Sequence, residues 1–504
     1  MIRLAELAAG GKAVANCRPW PRVGVDDEGW RSAIVGLAEG YFSLLGLWGS
    51  AEAVHMALMG QDADGAVILS LSCGDGSFPS VGSVHPPALR LERAIRDLRG
   101  IEPEGCPDPR PWLDHGRWGV RHPLAAVPAK PADGGPYRFL PAEGEGLHQI
   151  PVGPIHAGII EPGHFRFTAN GETVVRLEQR LGYVHKGIER LIKGADLQRA
   201  AKLAGRVSGD SAVAYGLAFA RAAEAALGIE PPPRAVWLRA LMAELERLAN
   251  HLGDIGAICN DASFSLMLAH CAVWRERLLR AADLCFGHRL MFDRILPGGV
   301  AAELNADGKA HLRSLLRELS QRFPELIALY DNTASLKDRT VGTGIVKTEL
   351  ARLYACGGFV GRASGRDFDA RRMPGYAPYG DLEFAVPVLT RGDVNARVWV
   401  RIREVEQSLS LIAQIIDKMP SGPILAEVAP TGGIGEGVAL VEGFRGDILA
   451  WVRIGGDGAV AESALRDPSW FQWPLLEAAI DGNIVADFPL CNKSFNCSYS
   501  GHDL

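Results

Sequence analysis

The 504-residue sequence contains no Cys-x-x-Cys pair, although it has nine cysteines. An odd number of widely spaced thiols is typical of a reducing compartment and argues against a disulfide framework. Cys491, Cys497 and His502 lie close together, but three groups at this spacing do not form a zinc finger, and we interpret the two thiols as buried apolar groups. The other cysteines are Cys17, Cys73, Cys106, Cys259, Cys271, Cys285 and Cys356.

The sequence also lacks long hydrophobic runs and an excess of positive charge. No stretch reaches the roughly 18 apolar residues of a membrane helix, and residues 41–60 are interrupted by Glu52 and His55. The first ten residues include Glu6 and have no long apolar segment, unlike a secretory signal. With a net charge of -6, the chain lacks the basic stripe of a nucleic-acid-binding surface. We therefore predict no transmembrane segment and no nucleic-acid partner.

Changes in composition divide the sequence into three parts. Residues 65–72 read as a buried strand and residues 89–98 as an amphipathic helix, which together indicate an N-terminal α/β module. A segment rich in Pro, Gly and Ala follows and has no periodicity, as in a linker. Asn170-Gly171 between two apolar runs is a strong hairpin signal. The predicted boundaries are residues 1–125 for the module, 126–152 for the linker and 153–504 for a larger domain.

The larger domain is predicted to contain a central helix bundle flanked by β-hairpins, which makes the fold class α+β. Three prolines at 231–233 end one helix and begin another. In the second helix, leucines and an isoleucine between 238 and 255 recur at three- and four-residue steps and form an apolar face. Further helices fit residues 266–291 and 398–419, and a β-meander is expected after Pro420. The glycines at 433–437 lack the spacing of a dinucleotide loop, so NADH binding by this chain is not expected.

Five segments, in the same order along the chain, resemble motifs of one protein family: residues 86–109, 153–156 with 161–165, 181–189, 339–344 and 362–365. The first is similar to the end of the small hydrophilic subunit of respiratory complex I, and the others to the large subunit of group 4 [NiFe]-hydrogenases. The chain is thus identified as a relative of formate-hydrogenlyase-type hydrogenase large subunits and of the quinone-binding subunit of complex I, with the small module fused in front.

The sequence departs from this family at the expected nickel–iron site. The resemblance implies four thiolate ligands from two Cys-x-x-Cys pairs, the first of them following an arginine. The corresponding positions here are Ser208 and Ser211, after Arg206, and Cys497 and Ser500. Soft thiolates suit nickel and low-valent iron, whereas serine hydroxyls are hard and stay protonated. We therefore expect no bound metal and no hydrogenase activity, with water held by the two serines of the first pair.

The resemblance leaves a quinone as an alternative acceptor. In the complex I subunit, a histidine in the opening hairpin loop and a tyrosine near the lost metal site hold the quinone head group. This chain has Glu161-Pro162 where the histidine is expected and Gly209 near the tyrosine position. Tyr215 or Tyr499 could substitute, although a packed tyrosine with a satisfied hydroxyl is the commoner role.

Further candidate catalytic residues follow from the resemblance. Glu161 matches a glutamate that carries protons beside the metal, and burial would raise the pKa of such a carboxyl towards neutrality; the alternative is a surface glutamate before a turn. His156 either faces the same cavity or caps its own loop. Arginines around the cavity could hold an anion or form structural ion pairs. These arginines and a neighbouring carboxylate are Arg206, Arg362, Arg366 and Asp369.

Together these features predict the core large subunit of a membrane-associated, energy-converting redox complex. The chain would take electrons from a small iron–sulfur partner subunit, next to a ferredoxin-like subunit, and drive proton or ion movement through antiporter-like membrane subunits. It would lie peripherally on the cytoplasmic face of the inner membrane. Two alternatives stay open: a quinone-reducing complex I-like subunit, and a scaffold subunit with an inactive pocket.

Overall fold

The computed structural model describes residues 4–60, 65–131, 135–157, 160–426 and 434–504. Its N-terminal part is built on a mixed five-stranded sheet of order β1-β3-β6-β5-β4, in which only β3 and β6 run parallel. The elements of this part are α1 (Leu4–Ala9), β1 (Lys12–Val14), β2 (Cys17–Arg18), β3 (Arg22–Val25), α2 (Asp27–Ala38), β4 (Phe42–Gly49), β5 (Ala53–Gly60), β6 (Ala66–Ser72), β7 (Ser77–Pro79), α3 (Leu89–Arg99) and β8 (Glu102–Glu104).

The central strands of this sheet are buried on both faces. Alternate side chains of β5 point to opposite sides: Met56 packs in the cluster that includes α2 and α3, and Met59 packs in a cluster with Trp451. This double burial explains the nearly continuous apolar sequence from which the strand at 65–72 was predicted. The predictions of that strand and of the helix at 89–98 are confirmed by β6 and α3.

The predicted linker contains one strand that its composition did not reveal. Leu147–Val152 forms β9, which pairs with β10 (His164–Asn170), and β10 pairs in turn with β11 (Thr173–Arg180). Pro151 interrupts the apolar pattern of β9, and this is tolerated because β9 lies at the edge of the sheet. The hairpin predicted at Asn170-Gly171 is confirmed.

A bundle of helices forms the centre of the larger domain, as predicted. The central helix α7 (Pro233–Asp261) begins at the predicted prolines, and its apolar face from Leu238 to Ile255 is buried. The other elements from α4 to α13 are α4 (Ile188–Ile192), α5 (Leu197–Ala204), α6 (Ala212–Leu227), α8 (Ser265–Phe286), β12 (Ile295–Leu296), β13 (Gly299–Val300), α9 (Ala306–Asp331), α10 (Ala334–Thr340), α11 (Thr348–Leu353), α12 (Gly358–Ala363) and α13 (Val394–Lys418).

The predicted meander after Pro420 is confirmed, but it shares its sheet with the N-terminal part. Strands β14 to β16 are antiparallel, and β2 extends the sheet by pairing in parallel with β14, where Cys17 lies opposite Glu436. Of the helices in the described ranges, none is both long and apolar enough to cross a membrane. The C-terminal elements are β14 (Gly435–Gly443), β15 (Gly446–Ile454), β16 (Val460–Arg466), α14 (Ser469–Ala479), α15 (Phe488–Phe495) and α16 (Tyr499–Asp503).

The glycines that resemble a nucleotide loop serve a packing role. Gly433 lies outside the described residues, and Gly435 and Gly437 belong to β14, directly against α6. A Cβ atom at Gly437 would lie 1.8 Å from the carbonyl oxygen of Ala222. These glycines therefore permit close approach of strand and helix backbones.

We expect Gly437→Ala to destabilise the protein by about 3 kcal/mol or more, because the added methyl group meets backbone that cannot move aside. The measurement is the thermal unfolding midpoint of the purified chain. Gly456→Ala is the matched control, since a Cβ atom there has no neighbour within 4 Å. Equal midpoints for the two variants would contradict this account of the β14–α6 contact.

Candidate functional site

The two runs that the resemblance assigns to metal binding meet in the structure. Ser208, just before α6, has its Oγ atom 3.0 Å from the Oγ atom of Ser498, just before α16. Ser211, Cys497 and Ser500 are also buried. The fold therefore brings the first and last ligand positions together, although they lie almost 300 residues apart.

A buried ion pair lies between these two runs, and sequence reasoning missed it. The guanidinium group of Arg445, in the turn between β14 and β15, donates to both carboxylate oxygens of Asp210 at 2.8 and 2.6 Å. It also donates to the Ser211 hydroxyl and to the carbonyl of Asn496. Burial alone would raise the pKa of Asp210, but Arg445 outweighs burial and lowers it. Arg445 thus links the first ligand run (residues 206–211), the meander and the segment that leads into the last ligand run (residues 497–500).

The groups at the ligand positions do not fit a nickel–iron centre. Ser208 donates to Asp210 at 2.8 Å, and burial raises the pKa of the Cys497 thiol well above its usual value. The donor set is therefore three hydroxyls and one protonated thiol, where the metals require thiolates. Within the described ranges, no group of three or more His, Cys, Asp or Glu side chains is arranged to hold a metal ion.

Glu161 lies beside the last run but is exposed, contrary to the predicted burial. Its Oε2 atom accepts a hydrogen bond from the backbone N–H of Ser500 at 3.0 Å. The Glu161 side chain therefore lies on the surface of this chain. The His156 ring donates from Nε2 to the carbonyl oxygen of Gly163 at 2.7 Å. Because that bond closes its own loop, it favours the capping role for His156.

The two tyrosines considered as quinone ligands are engaged elsewhere. The Tyr215 hydroxyl donates to Asp467 at 2.6 Å inside the protein. Tyr499 packs against Trp473, and its hydroxyl accepts a hydrogen bond from Asn492 at 3.4 Å. Both therefore have the packed role that the sequence analysis weighed against quinone binding.

The predicted arginines do not converge on one cavity. Arg206 forms a partly exposed ion pair with Asp293, at 2.9 and 2.8 Å, and stacks on Phe292. Arg366 donates to the carbonyl of Cys356 and stacks on Phe368. These two side chains have structural partners, which is the alternative role that was predicted for them.

Arg362 and Asp369 belong instead to a fully buried charge network. Arg362 contacts Glu404 at 2.7 Å and Glu442 at 2.8 Å, and lies 3.5 Å from Asp369. Asp369 binds Arg371, which also reaches Glu244. This charge network consists of Arg247, Arg362, Arg371, Glu244, Asp369, Glu404, Glu442 and His251.

The network contains four carboxylates and three guanidinium groups, so one negative charge lacks a cationic partner. Burial lowers the pKa of His251, which donates from Nε2 to Glu404 at 2.6 Å as a neutral ring. Burial, together with the charge of Asp369, raises the pKa of Glu442 to about 7. The nearby Arg401 is compensated by Asp254 at 3.0 Å. A proton on Glu442 therefore restores neutrality.

Comparison with known proteins is consistent with this architecture. The family model "Respiratory-chain NADH dehydrogenase, 30 Kd subunit" matches residues 27–127, and the 49 Kd subunit model of the same enzyme matches residues 261–433. Hydrogenase-4 component G of Escherichia coli (strain K12) is 32% identical over 463 residues, covering 90% of this chain and 80% of that protein. Formate hydrogenlyase subunit 5 of the same organism is 31% identical over 436 residues, covering 84% and 77%.

A solved structure shares the fold of the larger part of the chain. A chain of the membrane-bound sulfane sulfur reductase, an archaeal respiratory membrane complex, superposes with a TM-score of 0.67 and 26% identity. The match covers 71% of this chain and 99% of that one. The relatives are thus subunits of multisubunit membrane complexes. This chain belongs to the family of large subunits of formate-hydrogenlyase-type [NiFe]-hydrogenases and respiratory complex I, in the form with the 30 Kd-type module fused in front.

Proposed function

We propose that the chain is the core large subunit of an energy-converting redox complex and works without a nickel–iron centre. The observation that carries this proposal is the set of groups at the four ligand positions. Three are serines, the fourth is a protonated thiol, and the Arg445–Asp210 ion pair lies between the two runs. Electrons would come from an iron–sulfur cluster in a partner small subunit. A ferredoxin-like subunit would be a second partner in the electron-transfer pathway.

The acceptor in this proposal is a species other than protons. The solved relative is named a sulfane sulfur reductase, which supports reduction chemistry without hydrogen in this fold. Energy from electron transfer would drive proton or ion movement in antiporter-like membrane subunits, with this chain held peripherally on the cytoplasmic face. Glu161, next to Ser500, would exchange protons once a partner surface covers it.

Metal analysis of the complex, purified through a tag on this chain, tests the central point. We expect iron without nickel, together with copurifying small and membrane subunits, because the ligand positions lack thiolates. Nickel near one atom per complex would overturn the proposal. If neither iron nor membrane subunits copurify, the result would instead support a catalytically inactive scaffold protein.

The catalytic and scaffold alternatives differ in the effect of Glu161→Gln. If Glu161 transfers protons, the assembled complex should lose roughly tenfold or more of its turnover, since a positioned acid–base group contributes at least that much. Glu172→Gln is the control, because Glu172 is an exposed glutamate in the turn of the adjoining hairpin. Unchanged turnover in a fully assembled Glu161→Gln complex would favour the scaffold role.

A further inference from the structure

A cleft outside the ligand positions has the size and lining of a small-molecule site. It lies between α6, the first turns of α7, β14 and residues 376–379, and has a volume of about 450 Å³. Pockets of this volume with apolar walls and few polar groups commonly bind small ligands. Its apolar walls include Pro19, Leu217, Ala225, Ile229, Val236 and Val438.

The cleft contains a cation that has no ion-pair partner among the residues that the structure describes. Arg221 lies over the ring of Tyr376 at 4.2 Å, and its Nη1 atom is buried with no hydrogen-bond partner. Burial lowers the pKa of Arg221, which means that the buried charge is poorly compensated. A buried donor without an acceptor requires an explanation, such as a missing ligand group.

The carboxylate nearest in sequence is already engaged. Glu224 binds the guanidinium group of Arg239 through both oxygens and accepts a further hydrogen bond from the N–H of Gly298 at 2.7 Å. Glu230 also lines the cleft, but it is exposed at the rim. Since Glu224 and Arg239 neutralise each other, Arg221 is left as the excess charge inside the cleft.

A second donor is available beside Arg221. The Tyr376 hydroxyl accepts a hydrogen bond from the N–H of Glu442 at 3.3 Å, which leaves its own hydrogen free to donate. A planar guanidinium group together with a hydroxyl matches the oxygens of a carboxylate or phosphate. The remaining walls are apolar and suit a hydrocarbon body.

We propose that this cleft binds a small amphipathic anion, with a carboxylate or phosphate head on Arg221 and Tyr376 and an apolar body along α6 and α7. The site is separate from the ligand positions and does not depend on the proposed electron transfer. Two tyrosines that line the cleft link it to the network. The Tyr376 hydroxyl accepts a hydrogen bond from the backbone N–H of Glu442, and the Tyr379 hydroxyl donates to Glu244 at 2.8 Å. A bound anion would therefore favour the protonated form of the network.

Equilibrium dialysis of the full chain with decanoate and decyl phosphate tests this site, with decylamine as the cationic control probe. We expect both anions to bind saturably at one site and decylamine not to bind. Arg221→Gln should weaken anion binding by roughly tenfold or more, the scale of one charge-assisted hydrogen bond, and Tyr376→Phe by several-fold. Arg280→Gln, which removes an exposed arginine from α8, should bind as the wild type does.

Vesicle flotation distinguishes the two sources of such an anion. Binding to phosphatidylglycerol vesicles but not to phosphatidylcholine vesicles, lost in Arg221→Gln, would identify a lipid head group; dialysis binding without flotation would identify a soluble metabolite. The proposal is overturned if neither anion binds, or if Arg221→Gln binds as tightly as Arg280→Gln. It is also overturned if the purified complex fails to bind while the free chain binds, since a partner would then cover the cleft.

Discussion

The Arg362→Met variant is expected to lose about 3–5 kcal/mol of folding free energy, the usual cost of removing one partner from a buried ion pair. The change would leave three charged carboxylates and the protonated Glu442 facing two guanidinium groups, all of them buried away from bulk solvent. Glu404 and Glu442 would each lose a contact shorter than 3 Å. The measurement is the thermal unfolding midpoint at a fixed scan rate, because a chain of this size commonly unfolds irreversibly.

Two comparison variants separate the loss of charge balance from the loss of an arginine. Arg280→Met removes an exposed ion pair with Glu276 and should leave the unfolding midpoint nearly unchanged. The double variant Arg362→Met/Glu404→Gln should recover part of the loss, because it removes one charged carboxylate together with one guanidinium group and so restores the neutrality that the network has when Glu442 is protonated. If the double variant is no more stable than Arg362→Met, charge imbalance is not the cause of the destabilisation.

Glu442→Gln is expected to change the pH dependence of stability. The folded protein holds the proton of Glu442 up to a pKa of about 7, against an ordinary value of 4.5. Between these pH values the folded state binds more protons than the unfolded state, so stability falls as pH rises. At about 1.4 kcal/mol per pKa unit, ionisation of Glu442 should lower the free energy of unfolding by roughly 3 kcal/mol as the pH rises through this range, and the decrease is complete above pH 7. The glutamine variant lacks this contribution.

The measurement is the unfolding midpoint in urea at pH values from 4.5 to 8, with Glu325→Gln as an exposed control on α9. The difference between variant and wild type is the informative quantity, because burial also raises the pKa of Glu92, Glu189 and Glu246. We expect the stability of Glu442→Gln relative to wild type to rise with pH through this window. A constant difference would show that Glu442 is ionised throughout.

Local patterns were enough to predict the fold elements, but not the contacts between distant charges. Asn170-Gly171 specifies its hairpin through turn chemistry, and the leucine spacing of α7 specifies its buried face. The same helix also buries Glu244 and Arg247. Their partners Arg371 and Glu404 lie more than a hundred residues away. No periodicity within one helix can encode such pairs.

The candidate site was predicted in part, for a similar reason. The resemblance identified Ser208 and Ser211 as the first ligand positions, and the fold brings them to the last run. It did not indicate Arg445, because an arginine in a turn between two strands gives no local signal. The predicted burial of Glu161 depended on a surface that this chain does not supply. In the proposed complex a partner would cover Glu161, and the sequence of one chain does not encode that surface.

The pairing of β2 with β14 has a consequence for biosynthesis. Cys17 is synthesised more than four hundred residues before its partner Glu436. At a synthesis rate of roughly 5–20 residues per second, the interval between the synthesis of the two strands lasts tens of seconds. During that interval the face of the five-stranded sheet that later covers Trp451 stays open to solvent. A chaperone bound to the nascent N-terminal part would protect that face until the meander arrives, so the module matures only after the meander has been synthesised.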